Sequence, residues 1–185
     1  MTEGQDLFRG ELVRLAAAAE GDAEAFGRWS EDAEYLRGLD TDYARPRSVD
    51  EMRKQLERSP DDRGSVEFRI RTLQDDRLIG FVVLHSIEWN NRTANLAIGI
   101  GEAEYRGKGY GSDALRVVLR YAFHELNLER VGLDVNENNV RAIHAYEKVG
   151  FRHEGAMRHA LLRDGRWHAR IIMGILYDEW QAERG

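Results

Sequence analysis

Arg106-Gly107-Lys108-Gly109-Tyr110-Gly111 sits between an apolar, strand-like run, Leu96 to Ile100, and an amphipathic segment beginning near Ser112. Its alternating glycines remove the side chains that would hold a ligand away from the backbone, and they permit positive φ. The helix expected behind them brings unpaired N–H groups and the positive end of its dipole to the same spot. Strand, basic glycine turn and helix start together make an anion site, most naturally for a phosphate or pyrophosphate. Spacing narrows the choice. A P-loop needs a hydroxyl after its lysine, and here Lys108 is followed by Gly109. A dinucleotide fingerprint counted from Gly107 ends on Ser112 instead of glycine. The pattern Arg-x-x-Gly-x-Gly, as Arg106, Gly109 and Gly111, does fit.

Outward from this loop, apolar residues at 114, 115, 118, 119, 122 and 126 form one helical stripe. Arg130–Val135 then reads as a strand, so a strand, a helix and a strand run through the phosphate site. A second helix is expected from Asn139, a good N-cap, to Gly150, with Phe151 supplying the hydrophobic contact of a glycine C-cap. Upstream, Glu11 to Leu15 reads as a first strand, with helices around 23–30 and 49–58, Ser48 capping the second. Two period-two runs, from Val66 and over Leu78–Ser86, flank Asp75-Asp76 as a hairpin. Thr93–Ile100 is a strand in which Gly99 and Gly101 point to a bulge or a close approach. A C-terminal hairpin turns at Asp164-Gly165. These elements predict an α/β fold, a mixed sheet flanked by helices, in a single domain over residues 1–185.

The run Asn139-Val-Arg-Ala142-Ile-His-Ala-Tyr146-Glu-Lys-Val-Gly150-Phe151 lies one helix and one strand after the glycine loop. Together the two segments closely resemble the coenzyme-A-binding motifs of the GNAT superfamily of N-acetyltransferases. Tyr121-Ala-Phe, Leu126-Asn-Leu, Glu154-Gly155 and Met173 to Trp180 resemble its subgroup of ribosomal-protein-alanine and spermidine acetyltransferases. The resemblance is good over residues 66–180 and loose before them. It implies a mostly antiparallel sheet, a coenzyme-binding core at about 93–151 and a hairpin at about 158–177.

The resemblance also implies acetyl-CoA as co-substrate and acetyl transfer to a primary amine: a protein N-terminus, a polyamine or another small amine. Arg106, Gly107, Lys108, Gly109, Tyr110 and Gly111 would then hold the pyrophosphate through backbone N–H groups and a guanidinium. Ile98 and Ile100 would bond the pantetheine arm as an added strand does, and Asn139 would help hold the coenzyme from the other side. Tyr146 falls where the family often has its general acid. A phenol suits that role, because it can protonate a departing thiolate while carrying no charge beforehand. Many members have a glutamate where this chain has Asn95, and an amide takes no proton at neutral pH. Glu102 or a water relay is the replacement, and the base stays open. Two rival readings are a non-catalytic acyl-CoA sensor on the same fold and a nucleotide-binding protein using the glycine loop.

Composition sets the wider bounds. With 185 residues, 42% of them hydrophobic, the chain can bury a sizeable core. No apolar run approaches a membrane span, and Met1 to Asp6 lacks a signal peptide's basic start. The absence of cysteine excludes disulfides and thiolate metal sites, and the six histidines lack metal-ligand spacing. A soluble cytoplasmic protein without a metal is expected. The net charge of −6, with no basic stripe, argues against nucleic acid as a partner. Residues 1–60 hold 14 acidic and 9 basic side chains, so this third carries most of the negative charge. That field attracts cationic substrates. In the C-terminal hairpin His159, Arg163, Arg166, His168 and Arg170 are expected on one face, Leu162 and Trp167 on the other. Its edge strand would permit a homodimer.

Overall fold

The computed structural model describes residues 6–56 and 63–182. Seven strands form one sheet in the order β1-β2-β3-β4-β5-β7-β6: β1 (Val13–Ala16), β2 (Val66–Thr72), β3 (Leu78–Glu88), β4 (Thr93–Ile100), β5 (Arg130–Asn136), β6 (Arg152–Arg163) and β7 (Arg166–Leu176). Every neighbouring pair is antiparallel except β4 and β5. Those two are joined by α4 (Tyr110–His124), the crossover that parallel pairing requires. Ala114, Leu115, Val118, Leu119 and Ala122 are fully buried along α4, against Val82, Leu84, Leu96, Val131 and Leu133 of the sheet. The expected stripe thus holds, with Val117 and Phe123 buried as well.

On the other face lie α1 (Asp22–Trp29), α2 (Ala33–Leu39) and α3 (Val49–Leu56). The last residues of the helix expected at 49–58 lie outside the described residues. Ser48 does cap α3, in a reciprocal box: its hydroxyl accepts the Glu51 N–H at 3.2 Å and Glu51 accepts the Ser48 N–H at 2.9 Å. The chain closes with α5 (Val140–Glu147) after β5, and α6 (Tyr177–Ala182) after β7.

Two local expectations need correction, and one element goes beyond them. The bulge is not at Gly99, whose pairing with Phe81 is regular; it lies on β3, where the register shifts between His85 and Glu88 and Ser86 has φ 51°. Gly99 and Gly101 instead admit close side chains: a Cβ on Gly101 would stand 2.0 Å from the Trp29 ring. In the C-terminal hairpin a second irregularity, between Met157 and Leu161, changes the facing of β6. His159 therefore leaves the basic face and stacks on Trp167 at 5.6 Å. Its place opposite Arg170 is taken by Met157. Lastly, α2 is a helix that no clear periodic signal in the sequence announces.

Candidate active site

The parallel ladder between β4 and β5 covers only Thr93–Asn95 against Arg130–Gly132. Beyond Asn95 the strands part, because β5 stays paired with β7 as far as Asn136. On the other side, the Gly101 N–H bonds the Ile79 carbonyl at 2.9 Å. Antiparallel alternation then turns the backbone groups of Leu96, Ile98 and Ile100 away from β3, toward the gap. The gap opens into a cleft of about 490 Å³ between β4, the glycine loop, α5 and α2. A ligand arm lying along Ile98 would find strand-like backbone partners there.

At one end of the cleft is the start of α4. Gly109 is its N-cap at φ 91°, a conformation costly for any residue with a Cβ, and it offers no side-chain cap. The N–H groups of the first turn are thus left for a ligand. Gly107, Gly109 and Gly111 line the cleft, whereas Lys108 and Tyr110 do not. Lys108 is exposed, and Tyr110 packs edge-on against Tyr105 at 5.0 Å.

Arg106 lines the cleft, but its guanidinium is used within the protein and not held out to a pyrophosphate. Nε donates to the Ile100 carbonyl at 2.8 Å, Nη2 to the Gly101 carbonyl at 2.6 Å, and Nη1 to Asp32 at 2.7 Å. The Tyr35 ring lies 5.0 Å beneath it. Asp32 is the N-cap of α2, accepting the Tyr35 N–H at 3.0 Å. That backbone bond, assisted by Arg106, holds its carboxyl below the usual range. Arg106 therefore ties the end of β4 to α2.

Further basic side chains that face the cleft come from α5 and its C-cap. Arg141, His144 and Lys148 recur at three- and four-residue spacing and line it together. Their one-face spacing is readable in the sequence, although the motif they lie in draws attention to Asn139 and Tyr146 instead. Asn139 caps α5 by accepting the Ala142 N–H at 3.2 Å, and its amide donates to the Gly38 carbonyl at 3.2 Å. It holds the cleft's walls together as well as lining it. Tyr146, 7% exposed, lines the cleft one turn after Ala142. Burial pushes its phenol up to about 12. Glu102 is engaged elsewhere: Arg28 and Arg77 each bind it at 3.1 Å.

That second cavity, about 370 Å³, lies on the opposite face of β4, under α1, α2 and α3. Tyr35 and Leu39 line both spaces, so α2 is their shared wall. Trp29 Nε1 and Tyr35 Oη are enclosed and have no hydrogen-bond partner among the described residues. Burial raises the Tyr35 phenol well above its ordinary pKa.

Residues 13–152 match the family model for the acetyltransferase (GNAT) domain. An uncharacterized N-acetyltransferase of the SPbeta prophage of Bacillus subtilis is 30% identical, over 96% of this chain and 97% of its own length. Spermidine N(1)-acetyltransferase of Escherichia coli K12 is 36% identical over 59% of this chain and 58% of its own. Among solved structures, Vibrio cholerae spermidine N-acetyltransferase in complex with CoA and spermine superposes with a TM-score of 0.82, at 27% identity, covering 91% of this chain and 98% of that one. The chain belongs to the GNAT acetyltransferase family. It is an acetyl-CoA-dependent N-acetyltransferase.

The cleft fits that co-substrate. An uncapped helix start can receive phosphates, a Cβ on Gly107 would meet nothing within 4 Å, and α5 presents cations opposite. Among the described residues, no His, Cys, Asp or Glu cluster is arranged to hold a metal, and no helix is long and apolar enough to cross a membrane. Because Arg141 and Lys148 are exposed, replacing both by Ala is expected to leave the melting temperature unchanged. CoA binding should weaken roughly tenfold at low salt and less at high salt. Calorimetric titration at two ionic strengths checks this.

Proposed function

We propose that the acceptor is a small cationic primary amine of polyamine type. Tyr146 would protonate the leaving sulfur, and the backbone around Ile98 and the α4 start would hold the coenzyme. The observation that carries the acceptor reading is the cavity behind β4. It joins the aromatic rings of Phe26, Trp29 and Phe81 to the carboxylates of Asp40 and Asp42, while Glu67, also in its lining, pairs with Arg69 at 2.5 Å. Rings and carboxylates together suit an elongated cation with apolar segments. Arg45 and Arg47 also line it, but their guanidinium groups bond Glu51 at 3.2 Å and Gln55 at 2.8 Å. The Asp42 carboxylate forms no ion pair among the described residues. Spermidine relatives in the family point the same way.

Acetyl-CoA supplies an activated thioester. The chain's own contribution is to bring a neutral amine across β4 at the point where the strands part. Tyr35 and Leu39 form the passage, and Tyr146 stands at the coenzyme side as a neutral proton donor. A free-thiol assay with acetyl-CoA tests the proposal over a panel of spermidine, spermine, monoamines and an Ala-terminated peptide. Polyamines are expected to give the highest kcat/KM. Preference for the peptide would overturn the acceptor assignment, and thiol release without any amine would overturn acceptor transfer altogether.

A further inference from the structure

The face of the sheet that floors the acceptor cavity carries one side chain with the chemistry of a base and no function yet. Along β3, Phe81, Val83 and His85 alternate onto this face, and the first two line the cavity. His85 comes next in the row, just beyond the residues that line the cavity and directly across from Asn95 on β4, the last residue before β4 and β5 separate. The β3 bulge begins immediately after it, with Ser86 in the left-handed region at φ 51°. A bulge of this kind re-aims the side chain beside it. Here it sets the Ser86 hydroxyl 3.1 Å from His85 Nδ1, and Nε2 has no partner among the described residues.

We infer that His85 is the general base of the transfer, taking the amine proton through Nε2, directly or through one water. This rests on the amine-acetylation reading above. The other charged groups on this face are less suited to the role. Glu67 on β2 is held by Arg69 at 2.5 Å. Beyond Asn95, Arg130 and Glu154 hold each other in a two-pronged pair, with both bonds at 2.5 Å. Arg130 also keeps the Glu154 carboxyl below its usual range. His85 is half-buried, and burial lowers its pKa, so it is uncharged and able to accept a proton at neutral pH.

The protons balance. The amine nitrogen forms the new C–N bond with its lone pair and becomes strongly acidic, which lets an imidazole take its proton. The C–S bonding pair leaves with sulfur, which receives the Tyr146 proton. Imidazolium and phenolate then reset through solvent, for a net exchange of one N–H for one S–H. The scheme requires the less common tautomer, with the proton on Nδ1 donated to Ser86 and Nε2 free.

Two measurements decide. Nitrogen-15 NMR of the protein without ligand at pH 8 should show His85 as the Nδ1–H tautomer, and its signals should shift when spermidine is added to CoA-loaded protein. The Nε2–H tautomer would overturn the inference, whatever the enzyme's activity. In steady-state kinetics, His85→Asn keeps a donor near Ser86 but removes Nε2. It is expected to lower kcat at least tenfold, abolish the acidic limb of the pH profile and leave the KM for acetyl-CoA unchanged. Adding Asn95→Glu, which moves a carboxylate to the facing strand, should restore part of the rate. An unaltered pH profile in His85→Asn would also overturn the inference. A wild type that acetylates no amine defeats the acceptor proposal, and the tautomer seen by NMR then tests His85 separately.

Discussion

Arg106→Ala is expected to lower the melting temperature by roughly 5–15 °C and to raise KM for the amine as well as for acetyl-CoA. The side chain is 10% exposed and makes three hydrogen bonds in three directions, to the Ile100 and Gly101 carbonyls and to Asp32. Truncation leaves two carbonyls and a carboxylate without their partner and removes the cation from the Tyr35 ring. Breaking a buried pair from one side costs about 3–5 kcal/mol, and the partial exposure of Asp32 reduces this to about 2–4. In a domain of this size each kcal/mol shifts the midpoint by roughly 2–4 °C. The kinetic effect follows from α2, which Arg106 anchors and which walls both cavities. Arg106→Lys should recover little, since an ammonium cannot match a planar fork. Thermal scans and two-substrate kinetics read the result. An unchanged midpoint with weaker CoA binding alone would return Arg106 to the pyrophosphate.

Arg106 also shows what is legible in the chain and what is not. Signals that rest on local periodicity carry through to the fold. Thr93–Ile100 is a strand with the expected ends, and the apolar stripe of α4 is buried as its spacing requires. The glycine loop stands at a helix start because glycine and helix preferences are local. What a side chain does across the fold is a different matter. Nothing near Arg106 says that Asp32, 74 residues away, will receive it. The seven-residue α2 buries none of its residues fully, Tyr35, Leu36 and Leu39 being only half-buried, so no strong stripe marks it. It is held by Arg106, by the Asn136 amide on the Arg37 carbonyl and by the Asn139 amide on the Gly38 carbonyl. The facing of His159 depends on extra residues in β6, and period-two counting carries no record of them.

Tyr146→Phe is expected to lower kcat on the order of 10²-fold, equivalent to about 2.7 kcal/mol of barrier, within the range for loss of a general acid. CoA affinity should stay within about twofold, because in the proposed site the backbone around Ile98 and the α4 start would hold the coenzyme and the phenol would not. Stability should hold too. The ring packs against Phe151 at 5.8 Å, a contact phenylalanine keeps, and the hydroxyl bonds no other described residue. A purely structural tyrosine would give the opposite pattern, with turnover kept. The pH profile sharpens the test. Burial moves the phenol from 10 up to about 12, so below that pH it remains neutral and able to donate. Wild-type kcat should therefore show no alkaline fall through pH 10, where an ordinary tyrosine would already be half ionised. The Phe variant should run lower across the whole range with the same shape. A wild-type rate that drops near pH 10, or a Phe variant with full turnover, would remove Tyr146 from the chemistry and leave it as a wall of the cleft.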